Sequence, residues 1–317
     1  MISRIIVGAL ALGALAVPAA AADYPAQPIK VILPFGPGTG SDIATRIVLD
    51  EVHKQTAANF VIENRAGALG VIGATALLRA PADGYTVLMT GTSSHSLAPS
   101  LSKSATYDPL NDFSHVITMT YIPFTVLVPS TSKYDTIQSL IKDIRANPGK
   151  LTYGFASGST RIFGAKFHKL SDIDALGVSY KSSQEALTDL LGGQLDYMVV
   201  DSAAAVGIIK GEKARALAML SDERSRLLPD VPALKELGLP SIKLTGWTGL
   251  AGPKGMPDEA KRWLAEHIGA ALADTATIEK LKNSTVEAAT PVDVDQWVRT
   301  QLQSWSEAAK EAGVQPE

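Results

Sequence analysis

The chain has 317 residues, 46% of them apolar, no cysteine and a formal net charge of −3. That length buries an adequate core as two domains, and the missing thiols exclude disulfides, thiolate metal sites and cysteine nucleophiles. With 29 basic against 32 acidic residues and no basic tract, the composition argues against nucleic acid and anionic membrane as partners.

Residues 1–22 read as an export signal. Arg4 supplies a positive start, Ile5 to Val17 an apolar core, and Ala20-Ala21-Ala22 a small-residue cleavage site before Asp23. The apolar run of about 13 residues is short of the ~20 that span a bilayer, and no later segment is long enough. The expectation is a protein cleaved after Ala22 and exported in soluble form. Without Arg4, 28 basic residues face 32 acidic ones, a charge of −4. Binding an anion then requires local devices such as helix ends.

The first element after the leader is a short apolar strand, Val31-Ile32-Leu33. Gly36, Gly38 and Gly40, with Pro34 and Pro37, form a loop, and Ser41 or Asp42 caps a helix carrying Ile43, Ile47, Val48 and Val52. A strand, a glycine loop and a capped helix leave free amides at a helix N-terminus, which attract an anion. The nucleotide readings fail: a dinucleotide fingerprint needs glycine where Ser41 stands, and a Walker loop needs a lysine that is absent here. A plain turn is the alternative.

Further along, strand Phe60–Ile62, a turn over 63–67, helix Val71–Ala80 and strand Tyr85–Thr90 make a β-α-β-α-β run, predicting a parallel sheet with helices on both faces. A second set follows, with strands over 124–128, 151–156, 178–180, 195–200 and 215–220. Helices between them cover 136–145, a segment through Leu170, 184–191 and a segment to Ile209. The chain crosses back near 246–250 and ends in helices Pro257–Leu272 and Val294–Ala312. This divides the molecule into a discontinuous lobe one, 23–121 plus 249–317, and an inserted lobe two, 122–248, with a cleft between them.

Two loops follow strands and precede helices: Pro34–Asp42 in lobe one and Ser157–Arg161 in lobe two. Ligands of open α/β sheets bind at the carboxyl ends of strands, so these loops are read as facing jaws. Arg161 is either a bidentate carboxylate clamp or a surface arginine. Asp201, at a third strand end, either borders the ligand or caps a helix. Trp247 is read as core. The segment Gly91-Thr92-Ser93-Ser94-His95 mixes serine and histidine but fails Gly-x-Ser-x-Gly, and His95 either lines the cleft or does not. No spacing among His53, His95, His115, His168 and His267 suits a metal, so neither metal nor cofactor is expected. A hydrolase using Ser93 or Ser94 with His95, and a receptor feeding a signalling partner, are the rival functions.

Motifs spread along the chain carry a resemblance. They include Tyr24-Pro-Ala-Gln-Pro-Ile-Lys, the Pro34–Asp42 loop, Val61-Ile-Glu-Asn-Arg-Ala-Gly-Ala-Leu-Gly and Ala82-Asp-Gly-Tyr-Thr. Tyr107-Asp-Pro-Leu-Asn-Asp-Phe, Asn147-Pro-Gly-Lys-Leu-Thr-Tyr and Ala186-Leu-Thr-Asp-Leu-Leu-Gly-Gly-Gln continue it, and Leu227-Leu-Pro-Asp-Val-Pro and Gly246-Trp extend it towards the C-terminus. Together they resemble the extracytoplasmic solute receptors of tripartite tricarboxylate transporters, the Bug receptors.

The resemblance implies an α/β periplasmic binding protein type II fold and a non-enzymatic role of capture and delivery. A small organic acid is held between two loops, largely by backbone groups and bridging waters, and passed to membrane permease subunits by a monomeric receptor. Carried over by position, the ligand residues are Phe35, Gly38, Thr39, Gly40, Ser41 and Asp42 in one jaw. Ala156, Ser157, Ser159 and Thr160 form the other, bordered by Asp201; Arg161 and Ser94 join the candidates on the residues themselves and not by the family pattern. The chain departs from the family at Pro34-Phe-Gly-Pro-Gly-Thr-Gly, where Pro-Phe-Pro-Ala-Gly-Gly is common. It departs again at Gly158-Ser-Thr-Arg-Ile-Phe, in place of Gly-Thr-Ser-x-His-Leu, and at Ser179-Tyr-Lys-Ser, in place of Pro-Tyr-Lys-Gly. Arg161 with Phe163 therefore suggests a second acid group or an aromatic acid.

Overall fold

The computed structural model describes residues 24–314 apart from 38, 181, 241, 243, 285 and 291; the expected leader and Gly38 lie outside the described residues. The chain opens with β1 (Ile29–Leu33), α1 (Gly40–Thr56), β2 (Phe60–Asn64), α2 (Val71–Leu78) and β3 (Thr86–Gly91). A π-helical turn, Thr92–Leu97, runs into α3 (Ala98–Leu101), and β4 (Phe113–Ile122) follows. Next come β5 (Phe124–Pro129), α4 (Ile137–Ala146), β6 (Thr152–Phe155), α5 (Gly158–Ser171) and β7 (Leu176–Ser179). Then follow α6 (Ser183–Leu191), β8 (Tyr197–Asp201), α7 (Ser202–Lys210) and β9 (Ala214–Met219). The return is β10 (Gly246–Pro253), α8 (Asp258–Ala273), α9 (Thr275–Asn283), β11 (Glu287–Ala288) and α10 (Val294–Glu311).

These strands form two sheets, one in the order β11-β4-β10-β3-β1-β2 and one in the order β7-β6-β8-β5-β9. The expected parallel core is present as β2, β1 and β3. It is extended by strands the periodicity does not reveal: β10 lies antiparallel between β3 and β4, placing Thr248 opposite both Gly91 and Thr120. Strand β4 escapes a pattern reading because His115, Thr118 and Thr120 interrupt its apolar positions, although all three are buried. Polar residues inside a strand hide its burial from a hydrophobicity count.

Only Pro123 separates β4 of the first sheet from β5 of the second, so the chain passes between units in one step. Each unit has its own core. Val48 and Val52 of α1 pack with Leu264 and Ile268 of α8 in one, and Val126, Leu140, Phe167 and Tyr197 in the other. Ile43, predicted on the apolar face of α1, is 38% exposed. Helix α10 crosses to the second unit, since Trp305 is buried in that core with its ring 5.5 Å from Phe163 and its Nε1 donating to the Thr245 carbonyl at 3.2 Å.

Two local corrections concern the predicted loops. The cap of α1 is Thr39, whose side chain accepts from the Asp42 amide at 3.3 Å; neither Ser41 nor Asp42 caps it. The segment after β6 is hardly a loop, because Ser157 caps α5 and the helix begins at Gly158. In both places a hydroxyl residue one step ahead of the glycine stops the extended chain and accepts the third helical amide.

Candidate functional site

A cavity of about 300 Å³ opens between the two sheets. Its first wall is made by the carboxyl ends of β1, β3 and β4 and the start of the antiparallel β10. These supply Phe35, Thr92, Ser93, Thr120, Trp247 and Thr248. Across it stand Phe124 at the start of β5, Ser157 and Ser159 after β6, Ser183 after β7, and Asp201 and Ala203 at the end of β8. All of the parallel strands that contribute do so from their carboxyl ends, as open α/β sheets require of a ligand site.

Four helix N-termini converge on this space. Thr39, Gly40 and Ser41 begin α1; Ser157 and Ser159 begin α5; Ser183 begins α6; Asp201 and Ala203 begin α7. The caps share one design. Thr39, Ser157, Ser182 and Asp201 each accept the third helical amide, from Asp42, Thr160, Glu185 and Ala204. The first two amides of a helix have no acceptor within it. At α7 the first of them, Ser202, donates to the Pro123 carbonyl at 2.8 Å, which ties the helix to the crossing between sheets.

Among the described lining residues there is no lysine, arginine or histidine, and Asp201 is the only charged group. Burial holds the Asp201 carboxyl above the usual carboxylate range, against the hydrogen bond it accepts from the Ala204 amide. Hydroxyls from Thr39, Ser41, Thr92, Ser93, Thr120 and Thr248 share the lining with the apolar side chains of Phe35, Ile122, Phe124, Trp247 and Val286. Thr120 and Thr248 hydroxyls are hydrogen-bonded to each other at 2.6 Å. The chemistry on offer is polar neutral donors and positive helix ends for an acid group, with ring and aliphatic surface among them for a carbon chain.

Of the residues expected on the ligand, Phe35, Thr39, Gly40, Ser41, Ser157, Ser159 and Asp201 share this cavity. Gly38 lies outside the described residues. Asp42 is turned inward at 3% exposed, holding Arg46 Nε at 3.0 Å and Asn64 Nδ2 at 3.0 Å. Asn64 also donates to the Phe35 carbonyl at 2.9 Å, so Asp42 positions the first jaw through Asn64. Thr160 is buried, and its Oγ1 accepts from the Ala156 and Ser157 amides at 3.1 and 3.0 Å; the backbone donors expected there are already used.

Ser94 is completely buried, with its hydroxyl 3.0 Å from His95 Nδ1 and its carbonyl accepting from Tyr107. Its neighbour Ser93 lines the cavity instead. Ala156 and Arg161 line a separate recess on the far side of the Ser157 loop. Two residues apart on a helix are about 200° apart in direction, so Ser159 and Arg161 face opposite ways. Phe163 is core, stacked on Phe124 at 4.1 Å, and does not line the cavity.

Sequence reasoning missed Thr92, Ser93, Thr120 and Thr248, and read Trp247 only as core. Trp247 is 1% exposed and donates from Nε1 to Ser96 Oγ at 3.1 Å, yet one face borders the cavity. The Gly246-Trp motif was the available signal.

This site and topology define a class: a two-lobe α/β protein of the periplasmic binding fold. The chain belongs to the tripartite tricarboxylate transporter receptor family, whose model matches residues 44–314. It is 31% identical to protein BugT of Bordetella pertussis over 314 residues, 96% of this chain and 95% of that one. Among solved structures it is similar to the periplasmic binding protein BugD, 29% identical with a TM-score of 0.78 over 93% of this chain and 100% of that one. An R. palustris protein solved with adipate is 26% identical with a TM-score of 0.82, covering 93% of this chain and 100% of that one. MatC from Rhodopseudomonas palustris, solved with bound malate, is 26% identical with a TM-score of 0.76, over 90% and 99%. The family is one of solute-binding receptors.

Proposed function

We propose that this receptor captures a small organic acid in the cavity between its two sheets. The observation that carries the reading is the convergence of four helix N-termini on a cavity rich in hydroxyls and, among the described residues, free of cations. Partial positive charge at helix ends and free amides suit a carboxylate in a protein of net negative charge. The volume of about 300 Å³ is at the small end of ligand sites and suits a compact acid. Adipate and malate in the related structures agree with that chemistry.

In this reading the ligand residues are Phe35, Thr39, Gly40, Ser41, Ser157, Ser159 and Asp201, joined by Thr92, Ser93, Thr120 and Thr248. The two units, dividing at Pro123 and ahead of Gly246, close on the acid, so each contributes part of the binding energy. The protein acts as a monomer in the periplasm after cleavage following Ala22, and it hands its ligand to the permease subunits of a tripartite transporter. No helix of the described residues is long and apolar enough to cross a membrane, which agrees with a separate permease.

Binding without catalysis is supported by the one serine–histidine contact on the first wall. Ser94 and His95 are both completely buried, and His95 packs against Tyr107, Phe113 and His115 with no carboxylate among the described residues bonded to it. A thermal-shift screen tests the function. Protein from the periplasmic fraction, exposed to mono-, di- and tricarboxylates, sugars and amines, should gain melting temperature with acids alone. Stabilisation confined to sugars or cations would overturn it.

A further inference from the structure

We infer that the recess behind Ser157 is a second anion site, separate from the cleft, for a small amphipathic carboxylate. At about 400 Å³ it is larger than the cleft cavity. It lies between the units, with Leu69 and Leu101 from the first and Phe155, Arg161 and Tyr180 from the second.

Arg161 decides the chemistry. Two arginines among the described residues are half-buried, Arg161 and Arg215. Arg215 uses both terminal nitrogens, donating to the carbonyls of Ser130, Ser132 and Tyr134 and pairing with Asp135. Arg161 has no such set: its guanidinium lies 5.9 Å from the Phe155 ring centre, and no described acid pairs with it. It is also the only charged residue among those described around the recess.

A partly desolvated guanidinium keeps its charge and its five donors, and it is costly to leave without an acceptor. The Phe155 ring lies within cation–π reach of it and accepts none of its N–H groups, which leaves those donors for a bidentate carboxylate. Leu69, Leu101 and Phe155 then cover the carbon skeleton, which favours an aromatic or branched acid over inorganic anions. The recess shares only Ser157 with the cleft lining, so its occupant would sit on a different set of side chains from the cleft ligand.

Benzoate is the probe. Periplasmic protein labelled with [15N]arginine is titrated with sodium benzoate at constant ionic strength, and the Arg161 Nε–H signal is assigned by its loss in Arg161→Lys. The expected result is a saturable shift of that signal, with benzamide at least tenfold weaker. Calorimetry should show the benzoate event lost in Arg161→Gln and partly kept in Arg161→Lys, both variants melting near the wild type because Arg161 holds no ion pair. An unsaturated drift, equal response to benzamide, or unchanged benzoate binding in Arg161→Gln would each overturn the site.

Discussion

Thr92 Oγ1 accepts the Trp247 amide at 2.9 Å and lies 3.4 Å from the Trp247 carbonyl, to which it donates. A single hydroxyl therefore ties the π-helical turn after β3 to the start of β10, across 155 residues of sequence. The approach is so close that a Cβ on Gly91 would meet the Trp247 carbonyl oxygen at 2.6 Å. This joint forms the floor of the candidate cleft.

Replacing Thr92 by valine keeps its shape and leaves the buried Trp247 amide without an acceptor. The expected cost is about 1–3 kcal/mol in urea unfolding, with Thr92→Ser close to the wild type. An unchanged midpoint for Thr92→Val would mean the joint does not hold the floor.

Trp305 is the second joint. It is fully buried against Phe163, and its indole donates to Thr245 just before the chain re-enters the first sheet. Trp305→Ala should destabilise by about 3–5 kcal/mol, read by chemical denaturation. Trp305→Phe, keeping most of the volume, should lose less.

Asp201 gives a pH signature. Its carboxyl is held above its ordinary value by burial, so the folded state keeps the proton to higher pH than the unfolded chain does. The stability this confers is lost as pH rises through the folded value. Asparagine caps a helix equally well, so Asp201→Asn should raise the melting temperature at pH 7 and bind a dicarboxylate more tightly. That gain in affinity should shrink as pH falls towards the carboxylate range, measured by calorimetry between pH 7.5 and 5.5.

Histidines act in the opposite sense. Burial pushes His95 well below its usual value, with His115 adding to the effect, and lowers His168 to about 4. The unfolded chain binds protons below about pH 6.5 that these buried rings refuse, so stability is present above that pH and is lost on acidification. Each ring contributes a slope of up to about 1.4 kcal/mol per pH unit. Melting temperature should fall between pH 6.5 and 5, and His168→Gln should flatten the fall.

How much of this was legible in the sequence depends on distance along the chain. That Thr39–Ser41 and Ser157–Ser159 line one cavity is readable because strand, hydroxyl cap and glycine are contiguous. Thr120 and Thr248 were not, since only the antiparallel insertion of β10 between β3 and β4 brings them together. A loop reading of Gly91–His95 gives no direction to side chains, whereas the π-helical turn buries Ser94 and turns Ser93 to the cavity. Arg161, open in the sequence between a carboxylate clamp and a surface residue, lies two helical positions after Ser159, and the helical twist carries it to the recess instead of the cleft cavity.

The central claim is that the cleft recognises a carboxylate through helix ends and hydroxyls. Calorimetry with the best acid from the thermal screen and with its carboxamide analogue at pH 7 tests it most directly. The account predicts saturable one-to-one binding of the acid, with the neutral amide at least about tenfold weaker. Equal affinity for acid and amide would contradict it.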